Sequence, residues 1–123
     1  MAHILLADDD VAARDLVKRA LEIDGHSVLM ASDGAEAIAA FDGSGARPFD
    51  LIITDVEMPG TDGITLAKHA LAASGKIKVL MISGFNEALD RGRWLGPARL
   101  GVLAKPFTLE QIRRSIKTVL EAA

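Results

Sequence analysis

The chain contains no cysteine, and that absence removes a disulfide framework, a thiolate metal site and a cysteine nucleophile together. No apolar run approaches the roughly 18 residues that a membrane-crossing helix needs. The opening residues, Met1-Ala2-His3-Ile4, carry no basic stretch leading into an apolar export signal, so a cytoplasmic setting is expected. Internal repeats, low-complexity tracts and linkers are missing. His3, His26 and His69 share no metal-ligand spacing, and each reads as a surface or strand-edge residue. A sequence pI near 5.5 and the lack of residues for a winged helix after the last helical stripe argue against nucleic acid as a partner.

What is present is an ordinary globular balance. Of 123 residues, half are apolar and a quarter charged, which predicts one domain over 1–123 and excludes a disordered chain. The net charge of −3 is unevenly distributed. Residues 1–90 hold seven Lys/Arg against fifteen Asp/Glu, a balance of −8; residues 91–123 hold seven against two, a balance of +5. The acidic part suits cation binding and the basic part an anionic partner. Chance segregation on solvated faces would look the same, so the asymmetry only supports other evidence.

Short apolar runs alternate with helical patterns. Ile4–Ala7, Val28–Ala31, Leu51–Ile53, Val79–Ile82 and Val102–Ala104 are continuous and mostly rich in branched residues, as in parallel strands buried on both faces. Ala13, Leu16, Val17, Ala20 and Leu21 form one helical stripe; Leu109, Ile112, Ile116, Val119 and Leu120 form another. Asp33 with Glu36, and Thr108 with Gln111, have capping-box spacing. Gly25 stands where a left-handed cap would end the first helix. Five strand–helix units predict an α/β fold, a doubly wound five-stranded parallel sheet with five helices. The fourth helix, expected between Asn86 and Arg99, should be short or irregular, because Gly92 and Gly96-Pro97 interrupt it.

The polar residues sit where strands end. The first run leads into Asp8-Asp9-Asp10, the third into Thr54-Asp55, the fourth into Ser83-Gly84 and the fifth into Lys105-Pro106. In an open parallel sheet these ends share one edge, the edge that binds ligands. Carboxylates brought together repel unless a proton or a cation intervenes. Oxygen ligands without nearby His or Cys point to Mg²⁺. A lysine and a serine opposite such a cation suit an anion, so the composite reads as a site for Mg²⁺ and a phosphoryl group. Asp55 can accept that group as an aspartyl phosphate, while the metal and Lys105 neutralise charge on the transferring oxygens. A lone strand-terminal Asp is as readily a cap or turn residue. Five such residues at the ends of four strands are not so easily dismissed.

These stretches resemble the receiver domains of bacterial two-component response regulators, over the whole length. The resemblance rests on Ile4 to Asp10, Asp50 to Gly63, Val79 to Gly84 and Leu103 to Phe107, in order and at the expected spacings. It implies a CheY-like, flavodoxin-like fold and phosphorelay signalling, with no enzyme activity beyond self-phosphorylation from a donor and self-dephosphorylation. It implies Asp55 as phosphoacceptor with Ser83 and Lys105 contacting the phosphoryl group. Mg²⁺ is then held by Asp8, Asp9, Asp55 and the backbone carbonyl of Glu57, and Lys105-Pro106 is cis. Asp10 matches no ligand position and reads as solvated. Met58-Pro59, Gly60 and Gly63 read as turn chemistry.

The departures matter. Val102 stands where receivers usually carry an aromatic switch residue, and Phe85 where fast-hydrolysing relatives carry a polar side chain, which predicts a long-lived phosphoryl group. With the irregular fourth helix and no DNA-binding extension, the chain resembles stand-alone receivers, the CpdR-type subgroup in particular. That likeness implies a histidine kinase or histidine phosphotransferase as donor and a downstream protein target, the ClpXP protease being one candidate. The predicted partner face holds Arg91, Arg93, Trp94, Arg99, Val102, Arg113 and Lys117. Two other readings stay open. One is a phosphate-independent adaptor on the same fold. The other is a haloacid-dehalogenase-type phosphatase, for which Asp8 and Asp10 fit but Ala12 does not.

Overall fold

The computed structural model describes residues 2–45, 47–84 and 99–121. Five strands, β1 (His3–Ala7), β2 (Ser27–Ala31), β3 (Leu51–Asp55), β4 (Lys78–Ser83) and β5 (Leu100–Ala104), form one parallel sheet in the order β2-β1-β3-β4-β5. The helices among the described residues are α1 (Val11–Ile23), α2 (Gly34–Asp42), α3 (Gly63–Ala73) and α4 (Leu109–Glu121). The short helix expected between Asn86 and Arg99 falls on residues outside the described ones, Arg99 apart, as do Phe85, Arg91, Arg93 and Trp94. No helix among the described residues is long and apolar enough to cross a membrane.

Alternation along the strands divides the core in two. Leu5, Ile52, Val79 and Met81 pack with Ala37, Ile64, Leu66, Ala67 and Ala70 beneath α2 and α3. Ile4, Leu6, Leu51, Ile53, Leu80 and Ile82 face the other way, against Val17, Ala20 and Leu21 of α1 and Ile112, Ile116 and Val119 of α4. The central strand β3 is buried along its whole length, which is why it reads as an unbroken apolar run. Each fully buried Leu or Ile contributes about 1.5–3 kcal/mol, and cutting one such as Ile53 to alanine costs about 2–5 kcal/mol.

The helix signals are realised, though Asp33 and Glu36 form only half of their capping box. Asp33 accepts from the Glu36 N–H at 2.8 Å. Thr108 and Gln111 complete a reciprocal box, with Gln111 N–H donating to Thr108 Oγ1 at 3.1 Å and Thr108 N–H to Gln111 Oε1 at 2.8 Å. Gly25 adopts φ 76°, the left-handed turn that closes α1. One expectation fails at both sheet edges. Neither β2 nor β5 is buried on both faces: β2 leaves Leu29 46% and Met30 37% exposed, and β5 leaves Val102 37% exposed.

A carboxylate cleft at the strand ends

Register brings the polar residues together. Ala7 pairs with Thr54, so Asp8 follows beside Asp55; Asp55 pairs with Ile82, one residue short of Ser83; Ser83 pairs with Ala104, and Lys105 comes next. Asp8, Thr54, Asp55 and Ser83 are buried polar residues on this edge, while Asp9 is exposed. Asp8, Asp9 and Asp55 each present an oxygen within 4.8 Å of the others.

Lys105 reaches over the cluster. Its Nζ donates to Asp55 Oδ2 at 3.2 Å and lies 3.6 Å from Asp8 and 3.9 Å from Asp10. The other Asp55 oxygen accepts from the Glu57 backbone N–H at 3.3 Å. Asp8 Oδ1 accepts from the Asp10 N–H at 2.9 Å, but Asp8 Oδ2, also buried, has no hydrogen-bond donor among the described residues. Burial pushes the Asp8 carboxyl up to about 6, opposed by the Asp10 N–H and Lys105 and reinforced by the Asp55 and Asp10 charges. Burial alone would lower the Lys105 ammonium, but Asp8, Asp55 and Asp10 outweigh it and hold it above its ordinary value. A buried carboxylate oxygen lacking a donor, in a set of three carboxylates, is the donor set that a hard divalent cation fits.

The loop after Asp55 is shaped by backbone. Gly60 takes φ 74°, as turn chemistry requires. Gly63 is different: a Cβ there would stand 2.1 Å from the Asp55 carbonyl oxygen, so its role is close approach of α3 to the strand end. The Lys105-Pro106 bond is cis.

Several further groups shape the site, the Asp caps among them carrying an ordinary helix-start signal. The Thr54 hydroxyl donates to the Asp55 carbonyl at 2.9 Å. Arg14, on α1, donates to the Asp8 carbonyl at 3.3 Å and to Ser32 Oγ at 3.4 Å, tying the acidic turn to the one after β2. Asp10 is not simply solvated: it caps α1 by accepting from the N–H groups of Ala12 and Ala13. Asp62 caps α3 in the same way, through the Thr65 N–H.

The predicted partner face divides. Val102 is 37% exposed and Lys117 is exposed. Arg99 is not a free surface cation: its guanidinium turns inward, donating to the carbonyls of Ile77, Leu71 and Ser74 where α3 runs into β4. Arg113 forms a two-pronged ion pair with Asp24 at the end of α1, at 2.7 and 3.1 Å. The histidines are partly engaged. His3 stacks on Phe49, His26 Nδ1 accepts from the Ala2 N–H, and His69 Nε2 lies 2.6 Å from Asp42.

Sheet order, helix placement and a lysine over three strand-end carboxylates define a receiver module of a phosphorelay. The chain belongs to the response regulator receiver domain family, which matches residues 4–117. It is 36% identical over 123 residues, the whole of both chains, to the response regulator receiver protein CpdR of Brucella abortus (strain 2308). It is 34% identical over 120 residues to the sensor kinase CckA of the same organism, covering 98% of this chain but only 13% of the kinase. Among solved structures, chemotaxis protein CheY4 of Vibrio cholerae superposes with a TM-score of 0.81 at 33% identity, over 97% of this chain and 98% of that one.

Proposed function

We propose that this receiver takes a phosphoryl group on Asp55 from a histidine kinase or histidine phosphotransferase, in a Mg²⁺-dependent reaction, and signals through a protein-binding face. The observation that carries this reading is Lys105 Nζ placed 3.2 Å from Asp55 Oδ2, beside two further carboxylates able to share a cation. In the transfer, an Asp55 carboxylate oxygen attacks the phosphorus of a phosphohistidine. An O–P bond forms as the N–P bond breaks, and the bonding pair returns to the imidazole nitrogen, which takes a proton from water. Lys105 and Ser83 offer donors to the phosphoryl oxygens. Asp8, Asp9, Asp55 and the Glu57 carbonyl would hold Mg²⁺, which supplies positive charge to the same oxygens when bound.

The likeness to CpdR over both full lengths supports a cytoplasmic single-domain response regulator whose target is a protein, the ClpXP protease among the candidates. Val102, Lys117 and, from sequence, Arg91, Arg93 and Trp94 supply the basic face for it. The test is transfer from a labelled phosphohistidine phosphotransferase. Wild type should take the label only with Mg²⁺ present, and Asp55→Ala should not. A pull-down with the same pair should recover different partners. Labelling of Asp55→Ala at the wild-type level would refute the assignment.

A further inference from the structure

The two oxygens of Asp10 do different work. Oδ1 accepts from the N–H groups of Ala12 at 3.1 Å and Ala13 at 3.4 Å, closing the first turn of α1. Oδ2 lies 3.9 Å from the Lys105 ammonium. Lys105 is therefore shared among three carboxylates, with Asp55 at 3.2 Å and Asp8 at 3.6 Å. The Asp10 side chain is 52% exposed, so the cap and the ion pair hold it rather than burial. Asp8 and Asp55 present oxygens to the shared cation position with Asp9; Asp10 is not among those three.

We propose that Asp10 is a positioning residue acting through Lys105: it shares the ammonium with Asp55 and Asp8 in the resting protein and must release it when a phosphoryl group arrives. The inference rests on Asp55 being the acceptor. A phosphoryl group brings nearly two negative charges and three acceptor oxygens to Asp55, and a single half-exposed carboxylate cannot hold the ammonium against it. Because the two cap hydrogen bonds pin Oδ1, the carboxylate cannot follow Lys105 inward. The lost ion pair then counts against the phosphorylated state alone, since only a difference between two states shifts their balance. Asp10 thereby weakens phosphoryl retention and links the movement of Lys105 to the start of α1.

Asp10→Asn separates the two roles, because asparagine caps a helix about as well as aspartate but carries no charge. Beryllofluoride binding at saturating Mg²⁺, measured by titration calorimetry, should tighten about three- to tenfold in Asp10→Asn with its melting temperature unchanged. The gain should vanish when Lys105→Gln is also present. An equal gain in both backgrounds would show the charge acting directly on the anion and would overturn the proposal; so would no gain with Lys105 intact. A second measurement needs no anion: the Lys105 Nζ resonance should shift in Asp10→Asn, and a fixed resonance would also overturn it. Wild type that binds no beryllofluoride would remove the Asp55 reading itself, a distinguishable failure.

Discussion

Lys105 Nζ donates to Asp55 Oδ2 at 3.2 Å while standing 3.6 Å from Asp8, so one ammonium balances two buried carboxylates. Removing it as Lys105→Met leaves like charges facing each other with little solvent. The metal-free domain should lose about 1–3 kcal/mol, and saturating Mg²⁺ should return most of it by binding only the folded form. Thermal melts with and without Mg²⁺ check this. Phosphorylation of Asp55 should persist in the variant, but the accompanying amide shifts should shrink.

The Asp8 carboxyl, pushed up to about 6 by burial, predicts how the cation competes with protons. An acid whose folded pKa is raised favours the folded state when protonated, so its contribution is present below about 4 and lost as pH rises through about 6. Mg²⁺ needs the deprotonated group. Its affinity should therefore fall steadily below pH 6, and Asp8→Asn should flatten that dependence. Calorimetric titration across this range is the measurement.

His3 and His26 act in the opposite direction. Burial holds both below the ordinary histidine value; Arg47 adds to this at His3 and the N-terminal charge at His26. A depressed histidine contributes stability that is present above the unfolded value and lost as pH falls through the folded one. Protonating His26 Nδ1 also ends its acceptance of the Ala2 N–H. Stability should drop as pH is lowered from 6.5, and less steeply in His26→Asn, read from melting temperature against pH.

Much of this was legible in the sequence because a parallel sheet covered on both faces leaves continuous apolar runs, and because its ligands gather where those runs stop. β3 and its terminal Asp55 show both. β2 and β5 misled because runs such as Val28 to Ala31 and Val102 to Ala104 do not reveal that their strands lie at an edge. Arg113 and Asp24 lie far apart in the chain, and Arg99 finds three carbonyls across a turn. No local pattern encodes such partners. Asp10 caps α1 through residues two and three along the chain, a local signal, but Lys105 reaches it from a distant strand end, which no local pattern encodes.

Arg99 and Arg113 should separate on substitution. Arg99→Ala strips donors from the α3–β4 carbonyls and should cost about 1–3 kcal/mol, with phosphorylation intact. Arg113→Ala removes an exposed ion pair and should barely move the melting temperature, with any effect fading in high salt. Equal losses in both would contradict the inward role of Arg99.

Intact-mass measurement after incubation with acetyl phosphate and Mg²⁺ tests the central claim most directly. Wild type should gain one phosphoryl group, lost on treatment with hydroxylamine, and Asp55→Ala should gain none. A hydroxylamine-labile phosphoryl group on Asp55→Ala, in the same yield, would contradict the account.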